Sequence, residues 1–405
     1  MLFQPVDPFN PEVNPLGPRR LSAVYLDGAS AIAAGMTYAA LVAQQQYLDA
    51  SELDAGLAVE LDAYQRMLNQ QARYFSRTVT ADFIRMCSDA SNFAALVGAF
   101  AGPNRPMIAG AWEKPARRKA VADMLDALAD HAGEISIDLL TFDDHLDFLA
   151  RGMAGNGARF DAALAKAAAE LGAKAAGAQA DIDRLTKAAA DNVATIVKGA
   201  NEAGEAVADL VVGILTAFEK TTGKPKDDGG KKEDKAKDEG KDKDKAKDGE
   251  DAKTPAAKDE PAEGGDFSAD FVLKAIKASS AGVAEYSTAI RELELNNDLL
   301  RKAYLELAAL NPLIAVAKAA QAQNRLFKSA VDDTARAAAA LKAEWSGVRA
   351  GLTRTSGDVE HIESEAEAAT LARLGDGAEK LWSRVETGLV AIKHTLTGSG
   401  GLPGS

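Results

Sequence analysis

Aromatic residues, cysteine and long apolar runs are all scarce in this sequence of 405 residues. Phe, Trp and Tyr make up 6% of the chain, and Cys87 is its single cysteine. One thiol excludes an intrachain disulfide and a zinc site built from several cysteines. No purely apolar run reaches the length of an ordinary transmembrane helix, and residues 1–20 contain no apolar core of a standard secretory signal. Any route out of the cell is therefore expected to be lysis or a dedicated export machine.

The charge and the missing motifs exclude further classes of function. The formal net charge is −13, whereas binding to nucleic acid requires clustered Lys and Arg. The sequence has no HExxH, GxSxG or GxxxxGK[ST] motif. Asp143, Asp144 and His145 are adjacent, but neighbouring positions on a helix do not converge on one metal ion, so we expect His145 at the surface. We expect no enzyme activity, no cofactor and no metal, and a buried structural role for Cys87.

What is present is alanine-rich sequence with high helix propensity and few β-branched residues. Residues 21–192 and 267–397 are predicted to form a helical tail bundle, and residues 193–223 an apolar head segment. Residues 224–266 mix Lys with Asp and Glu and offer almost nothing to bury, which predicts a disordered charged insert.

Proline and glycine mark the expected ends of the elements. The proline-rich residues 1–20 are predicted to be extended, and residues 398–405 to be a flexible tail or a cloning remnant. Gly102 and Pro103 are expected to stop one helix, and Pro115 suits the first turn of the next. Three glycines are expected to loosen that helix further on: Gly152, Gly155 and Gly157.

Apolar residues recur at spacings of three and four along most of the chain, which indicates helices with one buried face. The clearest stripe runs from Val121 to Leu149, and another from Val283 to Ile314 carries Asn297 and Asn311 as register devices. Further stripes contain Trp345 and Trp382, which we predict to be core anchors. The predicted fold is all-α: an elongated bundle of long antiparallel helices with a small apolar head region and a disordered charged insert.

The segment 193–218 departs from a simple one-sided pattern, because it is apolar almost all round from Ala206 to Phe218. Such a segment either packs as an ordinary core helix or is intended for a membrane. If the second reading holds, the predicted membrane-contact residues are Val207, Leu210, Val211, Val212, Ile214, Leu215 and Phe218. The glycines that would act as hinges are Gly199, Gly204 and Gly213.

Several stretches resemble a known family over residues 21–397. Residues 71–75 (QARYF) and the following Phe83-Ile84 are similar to a helix with an Asn-Ala-Arg-x-Trp pattern. Residues 341–348 resemble a Leu-x3-Trp-x2-Ile segment, and residues 378–392 resemble a terminal helix. The family is that of the α-helical pore-forming toxins of the cytolysin A type, in its haemolysin BL and non-haemolytic enterotoxin branch.

This resemblance implies a soluble five-helix tail bundle with an apolar tongue folded away in a head. Such proteins insert the head into a target membrane and oligomerise, many of them with two or three homologous components. The short head segment, the charged insert and the missing signal peptide depart from the branch. We therefore predict a secreted or released component that binds target-cell lipid and homologous components or copies of itself. The alternative is an intracellular helical scaffold, or a protein that coats granules or lipid surfaces without lysis.

Overall fold

The computed structural model describes residues 6–44, 55–170, 172–202 and 306–398, together with a few helical positions between 295 and 303. These residues form helices and turns, and the part of the chain described here contains no strand. The helices are α1 (Leu21–Gln44), α2 (Ala55–Tyr74), α3 (Thr80–Ala101), α4 (Arg105–Ala109), α5 (Pro115–Glu170), α6 (Ala173–Glu202), α7 (Pro312–Glu360) and α8 (Glu365–Gly398). The predicted all-α class is confirmed.

The longest helices lie side by side in opposite directions. The hydroxyl of Ser356 in α7 donates to the carbonyl of Ala122 in α5 at 3.2 Å, whereas Gln321 in α7 donates to Asp161 near the other end of α5. Helix α5 contains 56 residues, which corresponds to a length of about 84 Å at 1.5 Å per residue. The bundle is therefore elongated, as predicted.

The other long helices extend this antiparallel arrangement. The Tyr64 ring of α2 stacks on Phe160 of α5, and the Phe93 ring of α3 stacks on His131 of α5. Helix α1 packs mainly on α7, and α8 on α3. We call the end that contains the starts of α1, α5 and α8 the tail end, and the opposite end, where α5 stops and α7 starts, the head end.

Proline and asparagine fix the beginnings of the two longest helices. Helix α5 begins at Pro115, as predicted. Pro312 opens α7, and the side chain of Asn311 caps it by accepting a hydrogen bond from the amide of Ile314 at 3.1 Å. The prediction of Asn311 as a register device inside a continuous seam is thus wrong, because its extended backbone (φ −157°, ψ 107°) interrupts the helix there.

The expectation that three glycines loosen α5 is also wrong, because α5 continues through all of them to Glu170. Gly152 instead makes room for a neighbour: a Cβ at this position would lie 2.8 Å from Nε2 of Gln71 in α2. Helix α5 is broken only beyond Glu170, and Gly172 adopts a positive φ of +91° before α6.

Helices α2 and α3 are one continuous rod with a π-helical turn at Phe75–Val79. The wider turn places Phe75 in the core, where it is fully buried beside Phe327 of α7. A Cβ on Gly35 of α1 would come within 2.2 Å of the Phe75 ring. The close approach of α1 to this turn therefore requires glycine at that position.

Aromatic side chains fill the core toward the tail end. Trp345 and Trp382 are both fully buried, with ring centroids 5.8 Å apart, and Phe93 contacts both. The prediction that the two tryptophans are core anchors is confirmed. Cys87 is likewise buried as predicted, and this burial raises the pKa of its thiol.

Residues 6–20 form a series of turns on the tail end rather than the predicted extended segment. Asn14 is buried there, and its Nδ2 donates to the carbonyl of Leu374 in α8 at 2.9 Å while its Oδ1 accepts from the amide of Leu16 at 3.0 Å. The indole of Trp382 donates to the carbonyl of Leu16 at 2.8 Å. These contacts attach the N-terminal turns to α8.

Candidate functional site

The predicted membrane-contact residues all lie outside the described residues: Val207, Leu210, Val211, Val212, Ile214, Leu215 and Phe218. The predicted hinges Gly204 and Gly213 lie outside them as well, and Gly199 falls within α6. In sequence, the apolar head segment (residues 193–223) begins within α6 and continues beyond the last residue of that helix, Glu202. The site that the structure does describe is therefore the place where α6 is attached to the bundle.

A group of charged and polar side chains joins α6 to α5 and α7 at the head end. Lys318 of α7 donates to the carboxylate of Asp183 in α6, with Nζ 2.8 Å from either oxygen, and also to the side-chain carbonyl of Gln321. Arg325 of α7 forms an ion pair with the same Asp183. It also reaches Asp161 of α5, with Nη2 3.5 Å from Oδ2. We call Asp161, Asp183, Lys318, Gln321 and Arg325 the polar cluster.

The spacing along α7 explains why the three α7 members act together. Lys318, Gln321 and Arg325 are three and four residues apart, so they share one face of the helix. Asp161 and Asp183 approach this face from two different helices. Asp183 is thus the only member that α6 contributes, and it accepts from both cations of the cluster.

Burial differs across the cluster. Lys318 is only 3% exposed, whereas the side chains of Asp183 and Arg325 remain about 40% exposed, at 39% and 41%. Burial lowers the pKa of Lys318, and the hydrogen bond to Asp183 partly offsets this shift. A buried ammonium is costly unless it is paired, so the Asp183 carboxylate is what makes this position tolerable for lysine.

A second set of buried polar groups lies next to the cluster between α2, α5 and α7. Asn324 and Gln71 are buried, and Tyr64 stacks on Phe160 with ring centroids 4.0 Å apart. Within the described chain, Gln71 Oε1 is buried without a hydrogen-bond partner. Several helices therefore place polar side chains at this level of the bundle. Such a layer contributes less to stability than an apolar layer when some of its polar atoms lack partners.

Among the α6 side chains that the structure describes, few are large and apolar. The buried hydrophobic ones among them are Ala175, Ala178, Ile182 and Leu185. Complete burial of an Ile or Leu side chain contributes about 1.5–3 kcal/mol. By contrast, α7 buries a longer row against the rest of the bundle: Phe327, Val331, Leu341, Trp345, Val348, Leu352 and Val359. In the part of α6 whose side chains are described, residues 173–188, charge therefore contributes more to the attachment than it does along α7.

The histidine that the sequence analysis placed at the surface takes part in a contact between helices. Nδ1 of His145 in α5 lies 2.7 Å from Oδ2 of Asp82 in α3, and the His145 side chain is 31% exposed. Its ring also meets the edge of Tyr74, with ring centroids 6.0 Å apart. In the described part of the chain, no group of three or more His, Cys, Asp or Glu residues is placed to hold a metal ion.

None of the described helices contains a stretch that is both long enough and apolar enough to cross a membrane.

The polar cluster could not be predicted from the apolar stripes, because none of its members belongs to one. One feature of the sequence does point to the cluster. Polar residues recur at helical spacing close to the apolar positions of α7, at Lys318, Gln321 and Arg325. Their partners Asp161 and Asp183 could not be assigned from spacing, because they lie on other helices.

No protein-family model matches the chain, and no curated protein matches its sequence. Solved structures do match. Soluble SmhA of the tripartite α-pore forming toxin Smh from Serratia marcescens aligns with a TM-score of 0.67 and 22% identity, over 96% of this chain and 98% of that one. The HblL1 toxin component of Bacillus cereus aligns with a TM-score of 0.68 and 12% identity, over 93% and 97%.

A third neighbour has been solved in more than one state. Soluble AhlB of the tripartite toxin AHL from Aeromonas hydrophila aligns with a TM-score of 0.60 and 13% identity, over 93% of this chain and 94% of that one. The AhlB pore aligns with a TM-score of 0.50 and 15% identity, over 93% and 98%. The chain thus has the fold of α-pore-forming toxin components and lies closer to the soluble form of AhlB. The family resemblance inferred from the sequence is confirmed at the level of the fold.

Proposed function

We propose that this chain is a component of a multi-component α-pore-forming toxin. The observation that carries the proposal is the fold shared with soluble SmhA over nearly the whole length of both chains. A membrane role would also explain why residues 206–218 are apolar almost all round, because a helix on the surface of a water-soluble protein has a polar face. The proposed mechanism needs no catalytic residue.

In this mechanism the soluble protein reaches a target membrane and exposes its apolar segment. Val207, Leu210, Val211, Val212, Ile214, Leu215 and Phe218 then contact acyl chains. Gly199, Gly204 and Gly213 provide the backbone freedom for the rearrangement. Oligomerisation joins this chain to homologous components, to further copies of itself, or to both. The protein is secreted or released before it associates with the membrane.

The substitution Val211→Asp tests the membrane role. A carboxylate near the bilayer centre costs about 2.5–3.5 kcal/mol per helix on insertion scales, and this cost is repeated in every copy of an oligomer. We expect Val211→Asp to keep the helical circular dichroism spectrum but to abolish lysis of red cells, measured with the chain alone and with its homologous components. Val211→Ala, which introduces no charge, is the matched control and should remain lytic.

A fluorescent probe distinguishes insertion from a purely structural role. A polarity-sensitive dye on Val212→Cys, in a Cys87→Ser background, should shift to the blue when vesicles or cells are added. Normal lysis without a shift would assign insertion to another part of the chain or to a partner. Absence of vesicle leakage, of cell lysis and of the dye shift, even with the homologous components, would contradict the proposal and favour the scaffold alternative.

A further inference from the structure

We propose that the polar cluster is a releasable clasp that holds α6 on the bundle in the soluble molecule and opens when the protein engages a membrane. The inference rests on the proposed function and assigns one step of it to named side chains. Asp183 is the α6 half of the clasp, and Lys318 and Arg325 of α7 are the other half.

The geometry favours this role because one residue makes every ionic contact of α6 in the cluster. Asp183 accepts from Lys318 and from Arg325, whereas Asp161 keeps its own contacts with Arg325 and Gln321 inside the α5–α7 pair. Movement of α6 therefore separates a single carboxylate from two cations and leaves the α5–α7 contacts in place.

The chemistry of the contact also makes separation easier than for an apolar seam. Charged groups regain hydration when they separate in water, so opening the clasp exposes side chains that water solvates well. The buried apolar contribution of α6 is limited to two large aliphatic residues, Ile182 and Leu185, among its described side chains. Helix α7, with its long apolar row, has no comparable means of leaving the bundle.

Opening the clasp changes the net charge of the surface that α6 leaves. The closed cluster contains two carboxylates and two cations and is neutral. When Asp183 leaves with α6, Lys318 and Arg325 face Asp161 alone, so the vacated surface carries one net positive charge. That surface can be compensated by an anionic headgroup, which would favour opening next to a membrane rather than in solution.

A reversible covalent link between α6 and α7 tests the clasp. In Asp183→Cys/Arg325→Cys, both thiols are accessible to a short bis-methanethiosulfonate reagent, because both side chains are partly exposed. Cys87 can remain, since it is buried and burial raises the pKa of its thiol. The matched control is Arg105→Cys/Asp376→Cys, which replaces a partly exposed ion pair between α4 and α8 at the tail end, 2.8 Å long.

The two readouts are amide hydrogen exchange of α6 peptides and release of contents. Both are measured with vesicles of phosphatidylcholine, phosphatidylglycerol and cholesterol, and with red cells in the presence of the homologous components. We expect the Asp183→Cys/Arg325→Cys link to slow membrane-induced exchange in α6 and to reduce release, each by about tenfold or more. Dithiothreitol should restore both, and the linked control should behave like its reduced form.

The outcomes separate the clasp from the proposed function. Unchanged exchange and release after linking α6 to α7 would overturn the clasp and leave the toxin role standing. An equal loss in the tail-end control would also overturn it, because release would then need the whole bundle to open. If the unlinked protein shows no membrane-induced exchange and no release under any of these conditions, the proposed function fails and the clasp fails with it.

Discussion

The indole nitrogen of Trp345 donates a hydrogen bond to the hydroxyl of Tyr25, 3.2 Å away and 320 positions distant in sequence. The same hydroxyl donates to the carbonyl of Met86 at 3.3 Å. One buried tyrosine thus links α7, α1 and α3 in the middle of the aromatic core. Burial raises its pKa, so it remains a neutral donor.

Trp345→Ala should destabilise the protein by about 3–5 kcal/mol, the usual cost of removing a buried large aromatic side chain. Trp345 is fully buried and contacts both Phe93 and Trp382, so the cavity has little room to collapse. Urea unfolding followed by circular dichroism measures the change. Unfolding at the wild-type urea concentration combined with loss of lysis would instead make Trp345 a functional residue.

Tyr25→Phe is a milder substitution in the same aromatic core and tests the hydrogen bonds of the Tyr25 hydroxyl. It keeps the ring and leaves the buried Trp345 Nε1 without its acceptor, which should cost about 1–3 kcal/mol. A free energy of unfolding equal to that of the wild type would show that the hydrogen-bond chain contributes nothing.

Gly377→Ala should detach the N-terminal turns from α8. A Cβ at Gly377 would lie 2.0 Å from the carbonyl oxygen of Pro8, which is backbone and cannot turn aside. Gly357→Ala is the matched control in α7, since a Cβ there meets nothing within 4 Å. It should stabilise the protein by about 0.5–1 kcal/mol through helix propensity. The two variants should therefore have opposite effects on limited proteolysis of residues 6–20 and on thermal unfolding. The same effect from both variants would contradict the packing of the N-terminal turns on α8.

Stability should fall at alkaline pH because of buried tyrosines. Burial raises the pKa of Tyr38 to about 12, whereas the unfolded chain loses this proton near pH 10. The stabilisation that a protonated, buried tyrosine provides is complete below about pH 10. It is lost as the pH rises toward 12, at about 1.4 kcal/mol per pH unit for each such tyrosine. Tyr38→Phe should reduce this slope by one group in urea titrations at several pH values. An unchanged slope would show that Tyr38 titrates normally.

Replacing residues 224–265 with a short Gly/Ser linker should leave the thermal midpoint nearly unchanged. These residues lie outside the described ranges, and the expectation comes from composition, because the segment has almost no apolar group to bury. The head residues 206–218 should be kept intact, so that the variant also reports on lysis. A large fall in the midpoint would mean that the insert packs on the bundle.

The sequence by itself determined that the described elements are helices, and it determined where α5 begins and which of its faces is buried. Every member of the stripe from Val121 to Leu149 is buried, and α5 begins at its predicted proline. This information is local, since helical periodicity repeats every few residues and proline restricts its own backbone.

Tertiary structure decided which polar residues meet and which glycines matter. Asp183 and Lys318 are 135 positions apart, and nothing in either local sequence pairs them. Gly152 looks like a helix breaker until Gln71 is seen to occupy the space of its missing Cβ. Periodicity specifies a face but not the partner of that face. The clasp therefore exists only once three helices have packed at one level of the bundle.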